Sequence, residues 1–309
     1  MRASFFLFLS FWLLAVAASA QPISGTVSNA ATRAGLPYIN IGVVGKDLGT
    51  VSTENGAYQL GFREALAQDT VRISSVGYQT RLLTLGALQA QPNVALTPES
   101  VSLQEVQVQG ENLFRRNLTL GNTGNSKSMI LKLKTDNLGA EMGTVIRLKN
   151  KPTRLLTANF NVAFNQLGPL TLRVNLYGLD AKGRPSEEKL LHRDLIVTSA
   201  ITQGTISVDL TKERVVVDED FFLAVEWIKP AAPAEALAAG PTEIKARVYR
   251  TEADVLAAQP SLCFSISLGY INNDLFVRKT SQGAWERATV GAMLLGLQPR
   301  ISFFVTAQD

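Results

Sequence analysis

Two stretches in the middle of the chain alternate their side chains one for one, and this period of two restricts the fold more than any other feature. Leu156, Ala158, Phe160, Val162 and Phe164 alternate with Thr157, Asn159, Asn161 and Ala163. Leu170, Leu172, Val174 and Leu176 alternate with Thr171, Arg173 and Asn175. Successive side chains of a strand point to opposite faces. Each stretch therefore predicts a long strand with one face for a core and one for water. Phe221 to Trp227 continues the pattern, with Glu226 on the polar side. Gly168-Pro169, Lys182-Gly183 and Asp218-Glu219-Asp220 punctuate it as turns. About ten such strands over residues 128–309 predict a β-sandwich of jelly-roll type.

The first part of the chain reads as shorter strands. Ile23–Val27, Tyr38–Val44, Thr50–Ser52, Ala57–Leu60, Thr70–Ser74 (broken at Gly77 and resumed at Tyr78–Leu83), Asn93–Leu96 and Glu105–Val108 make about seven strands at the roughly 8–12-residue spacing of an all-β sandwich. Asn55-Gly56 predicts a hairpin between the third and fourth of them, because the pair suits turns with positive φ. Residues 110–127 carry Gly110, Gly121 and Gly124 with four Asn, and read as a linker. The expected organisation is a signal segment (1–20), a seven-stranded sandwich (21–109), a linker (110–127) and a larger sandwich (128–309). Pro230–Pro241 is expected to be a surface excursion, and Glu252–Ala258 a short helix.

The N-terminus gives the compartment. Met1-Arg2 precedes an apolar run from Phe5 to Val16 and then Ala17-Ala18-Ser19-Ala20. A positive start, a short apolar core and an A-x-A site make a secretory signal peptide, with Ala18 and Ala20 marking the cut before Gln21. The run is too short to span a bilayer. The one cysteine, Cys263, lies in an alternating run and is expected to be a small buried hydrophobe, so no internal disulfide is available. No cysteine follows the signal region to carry a lipid, which predicts export to the periplasm or cell surface without lipoprotein anchoring. The net charge of +4 is spread along the chain without a basic block, which argues against a nucleic-acid partner.

Several short motifs of the first half resemble a known family. In order they are Ile23-Ser-Gly-Thr-Val27, Gly35-Leu-Pro37, Ile39-Asn-Ile41, Gly49-Thr-Val-Ser-Thr-Glu-Asn-Gly-Ala-Tyr58, Ser74-Ser-Val-Gly-Tyr78 and Leu103-Gln-Glu-Val-Gln-Val108. They resemble the carboxypeptidase regulatory-like domains of exported Bacteroidetes proteins, over about residues 22–109. The resemblance implies a transthyretin-like Greek-key sandwich without catalytic residues. Such a module often precedes the plug of a TonB-dependent receptor, and Glu105–Gly110 resembles the segment leading into such plugs. The chain ends at Asp309 without a plug or barrel pattern, so the resemblance implies at most a component associated with such an uptake system.

Little ordinary catalytic chemistry can be built. His192 is the only histidine, whereas a zinc carboxypeptidase site takes two His and a Glu. Its setting, Leu190-Leu-His-Arg-Asp194, reads as a strand edge, and no Gly-x-Ser-x-Gly is present. Gly42-Val-Val-Gly45-Lys46-Asp47 fails phosphate-loop spacing and reads as a turn. Glu226 occupies the position of an acid on a concave sheet face, which keeps a carbohydrate-active hydrolase as the alternative. Trp227, Tyr270 and Trp285, with Phe276, offer flat surfaces for sugar rings, against a competing role in the core. Asp218 and Asp220, and the turn Asn272-Asn273-Asp274, offer oxygen ligands for calcium, against ordinary turn chemistry. No other cofactor is expected. The reading is an all-β, exported, non-catalytic envelope protein that binds a glycan or a protein partner.

Overall fold

The computed structural model describes residues 22–99, 114–133, 138–229, 245–248, 262–270, 274–288 and 296–309. The signal segment with Ala18 and Ala20, the strand expected at Glu105–Val108, the stretch Pro230–Pro241, the helix expected at Glu252–Ala258, and Asn272 and Asn273 lie outside these residues. The described chain is almost entirely β. No described helix is long and apolar enough to cross a membrane.

Seven strands build the first domain: β1 (Ile23–Asn29), β2 (Asn40–Val43), β3 (Gly49–Val51), β4 (Ala57–Leu60), β5 (Thr70–Ser74), β6 (Arg81–Thr84) and β7 (Val94–Leu96). They form two sheets, ordered β4-β1-β7 and β3-β2-β5-β6. Alternate residues of both sheets, among them Val27, Ile41, Tyr58, Leu60, Val71 and Ile73, share one core. Tyr58 also donates its hydroxyl to the Pro92 carbonyl at 2.7 Å, which lets a polar tip enter that core. A short helix, α1 (Leu85–Ala90), was not legible in the sequence; Thr84 caps it by accepting from the Ala87 amide.

The Asn55-Gly56 turn forms, but it does not make the expected hairpin. β3 pairs with β2 and β4 pairs with β1, so the turn carries the chain from one sheet to the other. Gly56 has φ +82°, and a Cβ there would lie 2.3 Å from the Val27 carbonyl oxygen. We expect Gly56→Ala to cost about 1–3 kcal/mol in chemical denaturation, since it meets both backbone strain and a backbone clash. A loss below about 0.5 kcal/mol would show that the corner relaxes.

The second domain is made of β8 (Asn117–Gly121), β9 (Met129–Leu133), β10 (Glu141–Ile146), β11 (Thr153–Asn165), β12 (Leu170–Leu179), β13 (Pro185–Lys189), β14 (Leu195–Ser199), β15 (Gly204–Asp209), β16 (Val216–Val217), β17 (Phe221–Lys229), β18 (Lys245–Val248), β19 (Leu262–Gly269), β20 (Leu275–Arg278), β21 (Glu286–Arg287), β22 (Gln298–Ile301) and β23 (Phe303–Gln308). One sheet runs β13-β12-β17-β10-β20-β21, with β14 also on β12. The other runs β18-β9-β19-β11-β23-β8, with β15 and β16 on β11 and β22 on β19. The inner faces close over one large core containing Leu172, Leu223, Trp227, Phe264 and Phe303. β8 falls within the expected linker. Leu118 and Leu120 alternate there, Leu120 enters the core, and the strand pairs with β23. The Asn and Gly residues around it masked this short edge strand.

Two expectations about faces are corrected. Irregular pairing between Leu155 and Thr157 turns Leu155 into the main core and leaves Leu156 half-buried. A second shift, between Val162 and Phe164, sends Phe164 into a satellite cluster with Ile130, Ala163 and the buried Cys263. The faces expected to meet water are also covered. Asn159 and Asn161 are buried, and Asn161 donates to the carbonyls of Thr123 and Gly124. On the other sheet, Arg173 and Asn175 are buried as well, and what covers Arg173 is the first domain.

Candidate functional site

The outer face of the β12–β17–β10–β20 sheet carries a row of charges fixed by strand register. Arg173 lies opposite Glu226, Glu226 opposite Glu141, and Glu141 opposite Arg278. The order along the row is therefore plus, minus, minus, plus. Like charges on facing residues repel. Here each carboxylate has an arginine on its outer side, and Asn175 donates to both, at 3.2 Å to Glu141 and 3.0 Å to Glu226. Arg173 Nη1 reaches Glu226 Oε2 at 2.9 Å. Arg278 Nε reaches Glu141 Oε1 at 3.0 Å, and the Tyr177 hydroxyl donates to Glu141 Oε2 at 2.9 Å. Both carboxylates are 0% exposed.

Burial and charge act in opposite directions on these groups. Burial pushes the Glu226 carboxyl up, but Arg173, helped by Lys189 and Asn175, outweighs it and holds Glu226 below the usual carboxylate range. Burial pushes Glu141 up too, and there Arg278 offsets it only in part, with Glu226 adding repulsion. Desolvation lowers the half-buried Lys189 ammonium. The Arg278 guanidinium also lies over the Trp285 ring, 4.3 Å from its centroid.

The first domain closes one end of this row. Arg173 donates to Asn40 Oδ1 at 3.2 Å and to the Tyr38 carbonyl, while its Nε faces Asp194 Oδ1 at 3.2 Å. Tyr38 holds a left-handed backbone, with φ 56°. Ser75, from the Ser-Ser-Val-Gly-Tyr motif, donates to Asp194 at 3.0 Å. Glu54 accepts from Lys229 at 2.7 Å and from the Tyr38 hydroxyl at 2.9 Å, and Tyr38 is pushed up to about 12, by burial first and then by Glu54. The loop Gly42–Asp47, which failed as a phosphate loop, is part of the same seam. Gly45 donates its amide to the Gln282 carbonyl at 2.8 Å, and Thr280 donates to the Lys46 carbonyl at 3.2 Å. Glycine at 49 permits this approach, since a Cβ there would stand 2.8 Å from Thr280 Cβ. Between the domains lies a cavity of about 220 Å³ bordered by Arg72, Arg173, Lys189, Arg278, Glu187 and Asp194.

The residues expected to bind a ligand do not converge. Trp227 is 1% exposed and faces the inner core, so it offers no surface to a sugar ring. Phe276 and Trp285 pack on the opposite, outer face with Tyr177 and Phe222. Tyr270 stands alone at 81% exposure. Glu226 was expected on a water-facing strand side and is fully buried. Asp220 accepts from the Leu148 amide at 3.0 Å and pairs with Arg147, which also holds Asp274 at 2.8 Å. These two turns are thus tied to an arginine, and Asp218 is exposed without joining them. No cluster of three metal-ligating side chains occurs among the described residues. His192 is exposed. The row of four charges escaped sequence reading because its members come from four strands; only the polar residues within the apolar runs at Arg173, Asn175 and Glu226 pointed to it.

The architecture is all-β, in two sandwiches, the first of which caps the buried Arg173–Glu226 pair of the second through Tyr38 and Asn40. Residues 23–108 match the family model of the CarboxypepD_reg-like domain, so a carboxypeptidase-regulatory-like β domain is present. Comparison with curated proteins returned no match. Among solved structures, the chain is similar to the cysteine protease and lectin-like domains of Cwp84, a surface layer associated protein of Clostridium difficile. That likeness has 8% identity, a TM-score of 0.38, and coverage of 85% of this chain and 46% of the other. A second structure, of the clostridial cysteine protease Cwp84 after propeptide cleavage, aligns at 9% identity and a TM-score of 0.36, over 85% of this chain and 51% of that one. The chain thus spans about half the length of these structures.

Proposed function

We propose that this is an exported, non-catalytic binding or structural protein of the cell envelope, in which the regulatory-like domain is docked as a fixed unit on the larger sandwich. The observation that carries the reading is the setting of Glu226. A glycosidic acid has to reach the bond it protonates. Glu226 is instead 0% exposed and held by Arg173 and Asn175. Its charge serves the arginine that ties the two domains together. The signal-peptide pattern of residues 1–20 supports export, and the remaining outer surface is left for a glycan or protein partner.

The test pairs a glycan array with turnover assays on a polysaccharide panel, both on the mature chain. Retention of a glycan without turnover is the expected result. Turnover that Glu226→Gln abolishes would overturn the proposal in favour of a hydrolase.

A further inference from the structure

The cavity at the domain seam is bordered by four cations, Arg72, Arg173, Lys189 and Arg278, and two carboxylates, Glu187 and Asp194, while Arg173 and Arg278 also hold Glu226 and Glu141. Arg278 Nη1 and Ser281 Oγ both belong to side chains that border it, 3% and 2% exposed respectively, and neither atom has a hydrogen-bond partner. The Lys189 ammonium forms no direct ion pair among the described residues; it lies 5.9 Å from the centroid of the Tyr177 ring, and Glu226, Asp194 and Glu141 attract it from further off. A buried polar group without a partner is costly, and a cation more so.

Glu187 shows what this seat accepts. Its Oε2 is 3.4 Å from Arg72 Nη1 and its Oε1 3.7 Å from Arg278 Nη1, so one carboxylate straddles two guanidiniums. Both contacts are long, and the Glu187 side chain is 61% exposed, so little holds it there. Planar guanidiniums match a planar carboxylate better than a point charge would. The other donors around the cavity are hydroxyls and amides: Ser74, Ser75, Thr80, Asn40 and Gln282. Such a lining suits a hydroxylated carrier rather than an apolar one. A volume of about 220 Å³ limits the occupant to one sugar-sized unit, below the roughly 300–1,000 Å³ of pockets for drug-sized ligands.

We propose that the seam cavity binds a small hydroxylated carboxylate, of which a uronate is the simplest probe. Its carboxylate takes the place of Glu187 between Arg72 and Arg278 and pairs with Lys189, while the seam hydroxyls and amides meet its remaining oxygens. The inference rests on the binding reading above and names a ligand class for a site which that reading leaves open.

Isothermal titration of the mature chain with D-glucuronate, D-glucose and inorganic phosphate tests it. Glucuronate should bind, and glucose should not. Glu187→Gln removes the competing carboxylate and should tighten glucuronate by about threefold. Arg72→Gln and Lys189→Gln should each weaken it by at least about tenfold. If either cationic variant melts early, Glu187→Gln alone decides, because it alters an exposed side chain. Absence of glucuronate binding in Glu187→Gln, or glucose or phosphate binding as tightly as glucuronate, overturns the proposal. Failure of the titration with glycan retention intact sinks only the pocket. Turnover of polysaccharides sinks the non-catalytic reading and leaves the titration to be judged on its own.

Discussion

Arg173→Met will lower the stability of the protein by about 3–5 kcal/mol near neutral pH, the cost of stranding a buried charge. Arg173 is the principal counter-charge of Glu226, which is 0% exposed, and it also supplies the hydrogen bonds to Asn40 and the Tyr38 carbonyl. Methionine keeps much of the volume and none of the charge. The double variant Arg173→Met with Glu226→Leu should recover a large part of the loss, because a hydrophobic pair of similar size removes the stranded carboxylate. It will not recover all of it, since the contacts to the first domain stay lost. The pH dependence follows from the same pair. The folded carboxyl of Glu226 lies below its unfolded value, so its contribution is present above the unfolded value and is lost as pH falls through the folded one. The gap between wild type and Arg173→Met should therefore be widest near neutral pH and narrow on acidification. Urea titrations at several pH values check this; a gap that stays constant would mean that the arginine acts by packing alone.

Phe303→Ala will cost about as much, roughly 3–5 kcal/mol, for a different reason. Phe303 is fully buried between the two sheets of the second domain. Its ring meets Phe160 at 4.8 Å and Phe264 at 5.0 Å, both edge-to-face. Truncation forfeits both aromatic contacts and leaves a cavity that two flanking strands cannot collapse into, because β11 and β23 are locked in register at Phe160 and Phe303. A fall in melting temperature of roughly 6–20 °C is expected by calorimetry. A loss below about 1 kcal/mol would mean that the core there is loosely packed. Unlike the arginine variant, this one should show little dependence on pH.

The two sites were not equally legible. Phe160 and Phe264 stand in alternating runs, and alternation alone assigns them a face. The Asn55-Gly56 turn was legible as a turn, because the dipeptide reports local backbone geometry; which sheet each flanking strand joins is a long-range matter, and there the hairpin expectation failed. β8 was missed because a strand pairing with the chain's last residues carries no local sign of its partner. Trp227 shows the same limit within one residue. Its size and type fit a sugar platform or a core equally well, and only the packing of the second sheet over it chose the core.

What the sequence determined by itself was the period of two, the turns and the first domain's family motifs, since each is written in residues near one another along the chain. The tertiary structure decided where the polar faces went. Alternation states that Arg173 and Glu226 oppose the apolar side of their strands, but not what lies beyond. Register across four strands set Arg173, Glu226, Glu141 and Arg278 in one row, and docking of the first domain covered the Arg173 end of it. Charge in that row is tolerated under burial because each carboxylate meets a guanidinium, and that condition exists only once the strands are paired.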